Sequence, residues 1–152
     1  MGKTAIVTGG YSGIGLETTR ALAEAGVTVI MPARTPKRPA RRDGRCVCLA
    51  LSLSRWITID PASVDAFSQR FLHSGRALHY LINNAGIMAA PLVREARGYE
   101  SQFAANHPGA RFQLTLRLWP TSKRAGRGGG ARKGRLCRSP QPACACGAVD
   151  FD

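Results

Sequence analysis

The distribution of apolar and polar positions divides the chain into segments of different period. Residues 3–9, KTAIVTG, form a short apolar run rich in β-formers and closed by glycine, the pattern of a buried strand. Residues 13–26, GIGLETTRALAEAG, change to a helical period. Ile14, Leu16, Thr19, Ala21, Leu22 and Ala25 supply a mostly apolar face, and Gly26 a C-terminal stop. VTVIMPAR, residues 27–34, reads as a second strand. Strand, glycine turn, helix and strand in this order predict a βαβ unit, and with it a parallel sheet.

The pattern then degrades. TPKRPARRDGR, residues 35–45, holds two prolines and five positive charges and is a poor helix, while CVCLALSLSRWITI is apolar enough for a strand but lacks clear boundaries. Order returns with DPASVDAFSQRFLHSG, residues 60–75. Asp60 or Ser63 can cap a helix on which Val64, Phe67, Phe71 and Leu72 recur at helical spacing, with Gly75 past its end. ALHYLINNAG is another buried strand running into a turn. GYESQFAANHPGARFQLTLRLW, residues 98–119, predicts a helix broken or kinked near Pro108. From Pro120 glycine, arginine and proline dominate without apolar periodicity, so residues 1–119 read as an incomplete α/β domain and residues 120–152 as a basic, irregular tail.

Composition narrows the possible partners. With 44 % hydrophobic residues in 152, the chain has the content and length of one globular domain. Its net charge of +13 is strongly uneven: residues 1–33 sum to zero, residues 34–45 carry +5, and residues 111–152 carry +7. A nucleic-acid binder with a basic face throughout would not leave its first third neutral. The tail also lacks the aromatic residues that stack on bases, so nucleic acid is not the expected partner. No apolar run approaches the length of a membrane span, and Met1-Gly2-Lys3 leads into the first strand without a signal-peptide pattern. The five cysteines, Cys46, Cys48, Cys137, Cys144 and Cys146, lack common zinc-module spacing and read as reduced thiols of a cytoplasmic chain, with no metal site expected.

The chemistry concentrates at IVTGGYSGIG, residues 6–15. After a parallel strand the chain must turn sharply, which Gly9 allows; Gly13 lets backbone approach a pyrophosphate, and Gly15 lets the helix pack on the strand. The helix beginning there aims free N–H groups and a positive dipole end at phosphates. Thr8 and Ser12 offer hydroxyls to the loop or the ligand. Thr8-Gly9-x-x-x-Gly13-Ile14-Gly15 resembles the nucleotide-binding motif of the short-chain dehydrogenases/reductases, and Asn83-Asn84-Ala85-Gly86 resembles that family's N-N-A-G motif beside the cofactor. Asn106-His107 matches a third element, an asparagine that supports the proton relay. The stretch from Asn83 to His107 is most similar to the retinol-dehydrogenase-like, NADP-using branch. The resemblance covers residues 1–38 and 60–119 and implies a Rossmann-like, doubly wound parallel sheet that binds a nicotinamide cofactor through Thr8, Gly9, Ser12, Gly13, Ile14, Gly15, Asn83, Ala85 and Gly86.

An NAD site carries an acidic residue about 20 positions past the glycine turn. No carboxylate lies between Glu24 and Asp43, and the second strand ends in Ala33-Arg34-Thr35. A guanidinium there suits the 2′-phosphate of NADP(H), with Lys37 or Arg38 as further contacts.

The same resemblance exposes what is missing. The family's proton donor is a Tyr-x-x-x-Lys pair, but Tyr11 is followed four residues on by Gly15, Tyr80 by Asn84 and Tyr99 by Phe103. The next strand, expected after RLWP and ending in a catalytic serine, reads as missing, and Ser139 stands between Arg138 and Pro140 with no strand behind it. NHPGARF holds one residue more than the family pattern. Segments 39–56 and 121–147, which contain all five cysteines, read as out-of-frame translation of an arginine-rich coding sequence; an intact frame in transcripts contradicts that reading. The expectation is an NADP-linked alcohol or carbonyl oxidoreductase by descent, truncated and inactive alone, or a non-catalytic NADP-binding partner of a full-length relative. Family habit implies homo- or hetero-oligomers.

Overall fold

A computed structural model describes residues 2–32, 60–127 and 135–138. Four strands, β1 (Thr4–Val7), β2 (Thr28–Ile30), β3 (Tyr80–Asn83) and β4 (Arg135–Arg138), form one parallel sheet in the order β2-β1-β3-β4. Ile6 is aligned with Ile30 on one side and Leu81 on the other. The strand alternation sorts the core onto two faces. Ile6, Ile30 and Leu81 pack with Val64, Phe67 and Phe71 of helix α2 (Pro61–His73) and with Leu114 and Leu118 of α4 (Leu114–Arg127). Ala5, Val7 and Val29 face the other way, toward Leu22 of α1 (Gly13–Glu24). Helices on both faces of a parallel sheet are the doubly wound arrangement expected from the sequence.

Helix α1 begins where predicted but presents a different stripe to the sheet. Gly15, Thr19 and Ala23 are buried, whereas Ile14 is 74 % exposed and Ala21 and Ala25 are exposed. The cause is proximity: a Cβ on Gly15 would lie 2.3 Å from the Gly9 carbonyl oxygen, so only small residues fit against the sheet there. Asp60 is the cap of α2, its carboxylate accepting from the Ala62 N–H at 3.1 Å.

The predicted helix over 98–119 is three pieces. A short α3 (Ser101–Ala104) starts on Glu100, which caps the N–H groups of Gln102 and Phe103. A π-helix (Ala105–Gln113) follows and contains Pro108, the position where the break was expected. Helix α4 then runs to Arg127, past Trp119, through Pro120. Burial of Leu114 and Leu118 is worth about 1.5–3 kcal/mol each, enough together to offset the roughly 3 kcal/mol of an interior proline. Thr121 is buried on the same face.

Two sequence readings need correction. The sequence after RLWP was read as lacking a strand, but β4 is present there, paired with β3 from Tyr80↔Arg135 to Asn83↔Arg138 and ending immediately before Ser139. Backbone groups along the outer edge of β3 accept a partner strand whatever its composition, so glycine- and arginine-rich flanks hid it. Accordingly residues 121–127 and 135–138 hold helix and strand rather than an irregular tail. Arg34, Lys37, Arg38, the whole of segment 39–56 and Ser139 lie outside the described residues.

Candidate dinucleotide site

The carboxyl ends of β1 and β3 are side by side, Val7 aligned with Ile82, so the turn after β1 meets the turn after β3. Thr8 is wholly buried between them. Its N–H donates to the Ile82 carbonyl at 3.0 Å, and its Oγ1 accepts from the Ala85 N–H at 2.9 Å. The Thr8 hydroxyl therefore holds the loop. Asn84, which the sequence reading left out of the site set, binds the glycine turn from the other side: its Nδ2 donates to the carbonyls of Thr8 at 3.2 Å and Gly9 at 3.4 Å. A Cβ on Gly15 would lie 2.4 Å from that same Nδ2. Thr8, Gly9, Gly15, Asn84 and Ala85 thus form one stitched unit. An Asn-Asn pair at a strand end was the signal available for Asn84, because residues adjacent in a strand point to opposite faces.

Asn83 illustrates the same alternation. It is 4 % exposed, and its Nδ2 donates to Thr115 Oγ1 of α4 at 3.2 Å, so its side chain ties β3 to the helix layer. Gly86 leads into the loop that Asn106 holds. Asn106 accepts from the Ile87 N–H through Oδ1 at 2.9 Å and donates to the Ile87 carbonyl through Nδ2 at 2.8 Å. Both ends of the carboxamide are committed to one backbone unit.

The rim of the turn is open. Tyr11, Ser12, Gly13 and Ile14 are exposed, and nothing lies within 4 Å of where a Gly13 Cβ would stand. Gly13 has φ +53°, a left-handed conformation that costs glycine nothing. Ser12 caps α1 without using its hydroxyl, and no acidic residue occupies the first turn. Unspent N–H groups and an uncompensated positive dipole end therefore face solvent at the carboxyl edge of the sheet, the arrangement that receives phosphate.

One tyrosine–lysine pair exists among the described residues, and it is on the wrong edge. Lys3 Nζ donates to the Tyr80 hydroxyl at 3.1 Å, but both residues sit at the amino ends of β1 and β3. The four residues of β1 separate them from the turn by about 13 Å at ~3.3 Å per residue. No group of three or more metal-ligating side chains occurs among the described residues, and none of their helices is long and apolar enough to cross a membrane.

Comparison with known proteins agrees with this geometry. The short chain dehydrogenase family matches residues 3–128. The chain is 36 % identical over 126 residues to mouse (Mus musculus) retinol dehydrogenase 12, covering 77 % of this chain and 38 % of that protein. It is 42 % identical over 144 residues to the chloroplastic short-chain dehydrogenase TIC 32 B of Brassica napus, covering 88 % and 42 %. Among solved structures, the Pseudomonas aeruginosa RhlG/NADP active-site complex aligns with a TM-score of 0.72 at 25 % identity, covering 97 % of this chain and 58 % of that one. The chain therefore spans about two fifths of the length of these two curated relatives.

Proposed function

The chain belongs to the short-chain dehydrogenase family, and from that premise we propose that it binds NADP(H) at the turn between β1 and α1 and does not by itself turn over an alcohol or carbonyl substrate. The observation that carries the reading is the open, acid-free start of α1, held against the sheet by Asn84 and Gly15. Gly13, Ile14 and the first N–H groups of α1 would hold the pyrophosphate, with Ser12 beside them. Gly9, Asn83, Ala85 and Gly86 would shape the floor, some of them through backbone alone. Arg34 would take the 2′-phosphate. When bound, the nicotinamide supplies or accepts hydride. Asn106 fixes the Ile87 backbone beside that site.

The proposed lack of turnover is supported by the residues present. No tyrosine has a lysine four residues on, and the Lys3–Tyr80 pair stands at the opposite sheet edge. Titration of the purified chain with NADPH and NADH, following nucleotide fluorescence, tests cofactor binding and preference. The expected result is tighter binding of NADPH, a preference lost in Arg34→Glu, with no hydride transfer to alcohols or aldehydes. Equal affinity for both nucleotides contradicts the role of Arg34.

A second reading, pairing with a second copy or with a full-length relative, draws on one observation. Phe112, Leu116 and Trp119 are 65, 56 and 41 % exposed, on the side of the helix away from buried Leu114 and Leu118. Isolated exposed apolar residues are ordinary; three of them within eight positions support a contact surface here. Leu116→Glu is expected to abolish any oligomer seen by light scattering while leaving NADPH binding intact. A cytoplasmic location is part of the same proposal, supported by the cysteine usage and by the absence of a signal-peptide pattern in the sequence.

A further inference from the structure

We propose that Thr19 is a positioning residue of the turn between β1 and α1. Its buried hydroxyl takes the Gly10 carbonyl when a phosphate-bearing ligand enters, and so aims the Tyr11 N–H at that ligand; this rests on the reading of the turn as a dinucleotide site. The turn is secured differently on its two flanks. On the β3 side, Asn84 donates to the Thr8 and Gly9 carbonyls. On the β2 side the contact is packing. Gly10 is buried, and a Cβ there would lie 2.7 Å from Thr19 Oγ1, 2.9 Å from Met31 Cγ and 3.0 Å from Met31 Sδ. Gly10 is not among the glycines of positive φ, so space rather than conformation demands glycine at this position.

Thr19 is 2 % exposed, and its Oγ1 has no hydrogen-bond partner among the described residues. The neighbouring Thr18 donates its hydroxyl to the Ile14 carbonyl, one helical turn back, at 2.9 Å. The equivalent acceptor for Thr19 is the Gly15 carbonyl, and the Thr19 hydroxyl does not use it; it stands under Gly10 instead. Leaving a buried hydroxyl unpaired is destabilising, and packing alone does not call for one, since valine fills the same shape without that penalty. The adjoining peptide unit supplies the reason. A trans peptide is planar, so its C=O and the following N–H point in opposite directions. A rotation that turns the Gly10 carbonyl down onto Thr19 turns the Tyr11 N–H out to the rim, beside the exposed Ser12 and Gly13 and the acid-free start of α1. Glycine at position 10 eases that rotation, because a residue without Cβ is little restricted. Phosphate gains a further backbone donor, and the Thr19 hydroxyl gains its acceptor.

The test separates stability from binding in the full chain: melting temperature and NADPH affinity are measured for the parent, Thr19→Val and Thr19→Ser. Valine keeps the shape and removes the hydroxyl. Its melting temperature should equal or exceed the parent's, while NADPH binds roughly three- to tenfold more weakly, the size of one net hydrogen bond. Serine keeps the hydroxyl and loses a methyl, so its melting temperature should fall while NADPH affinity is retained. A residue that only packs would move the melting temperature and leave affinity untouched. NADPH binding by Thr19→Val as tight as the parent's therefore overturns the proposal and leaves the dinucleotide reading standing. A Thr19→Val melting temperature clearly below the parent's also overturns it, because the hydroxyl is then already paired in the free chain. A folded parent that binds no NADPH overturns the dinucleotide reading and this proposal together.

Discussion

At the scale of single residues the account turns on space and hydrogen bonds that can be removed one at a time. Gly15→Ala places a methyl against the Gly9 carbonyl at 2.3 Å, where backbone must move. Overpacking of this kind costs about 1–3 kcal/mol, so thermal unfolding should show a clear drop. Gly13→Asp is different, because the space around Gly13 is empty and aspartate tolerates a positive φ. It should leave the fold intact yet weaken NADPH binding about tenfold or more, equivalent to ~1.4 kcal/mol, by setting a negative charge where phosphate belongs. Asn106→Ala removes two hydrogen bonds to Ile87 and should cost about 1–2 kcal/mol of stability. The glycines were legible in the sequence because a backbone requirement shows directly in residue type. Asn84 was less so: both asparagines of the pair are polar residues at a strand end, and only the pleat decides that Asn83 faces α4 while Asn84 faces the turn.

At the scale of elements, α2 is held to α4 and to the end of the π-helix by apolar packing and by a polar tie at Asp65. Arg117 and Gln113 converge on Asp65, and their hydrogen bonds hold its carboxyl below the ordinary carboxylate range. A depressed folded-state pKa gives stability that is present above the unfolded value of about 4 and is lost as pH falls through the lower, folded value. Acid unfolding should therefore steepen below about pH 4, and Asp65→Asn should remove part of that dependence; an unchanged acid limb in the variant would contradict the tie. The strands, α1 and α2 were readable because their apolar period matches their burial. What was not readable was the continuation of α4 through Pro120 and the strand β4. Both depend on partners distant in sequence, the apolar cluster that Leu114 and Leu118 share with α2 for the helix and the free edge of β3 for the strand. Local composition argued against both, and tertiary contacts prevailed.

At the scale of the whole molecule, the chain combines a complete-looking phosphate turn with no recognisable proton donor. The fold class was legible from one βαβ unit and two motifs, because glycine spacing and strand-end asparagines are imposed by the nucleotide-binding geometry of the family. The sheet is small, with the core resting on few large side chains. Phe71→Ala, which removes a fully buried ring, should cost about 3–5 kcal/mol and leave the chain largely unfolded at 37 °C, as far-ultraviolet circular dichroism would show. The most direct test of the central claim is calorimetric titration of NADPH into the folded chain and into Gly13→Asp side by side. Saturable binding by the parent, weakened at least about tenfold in the variant, is the result this account predicts. A folded parent that binds no NADPH, or a variant that binds it equally well, would contradict the assignment of the Thr8–Gly15 turn as a working dinucleotide site.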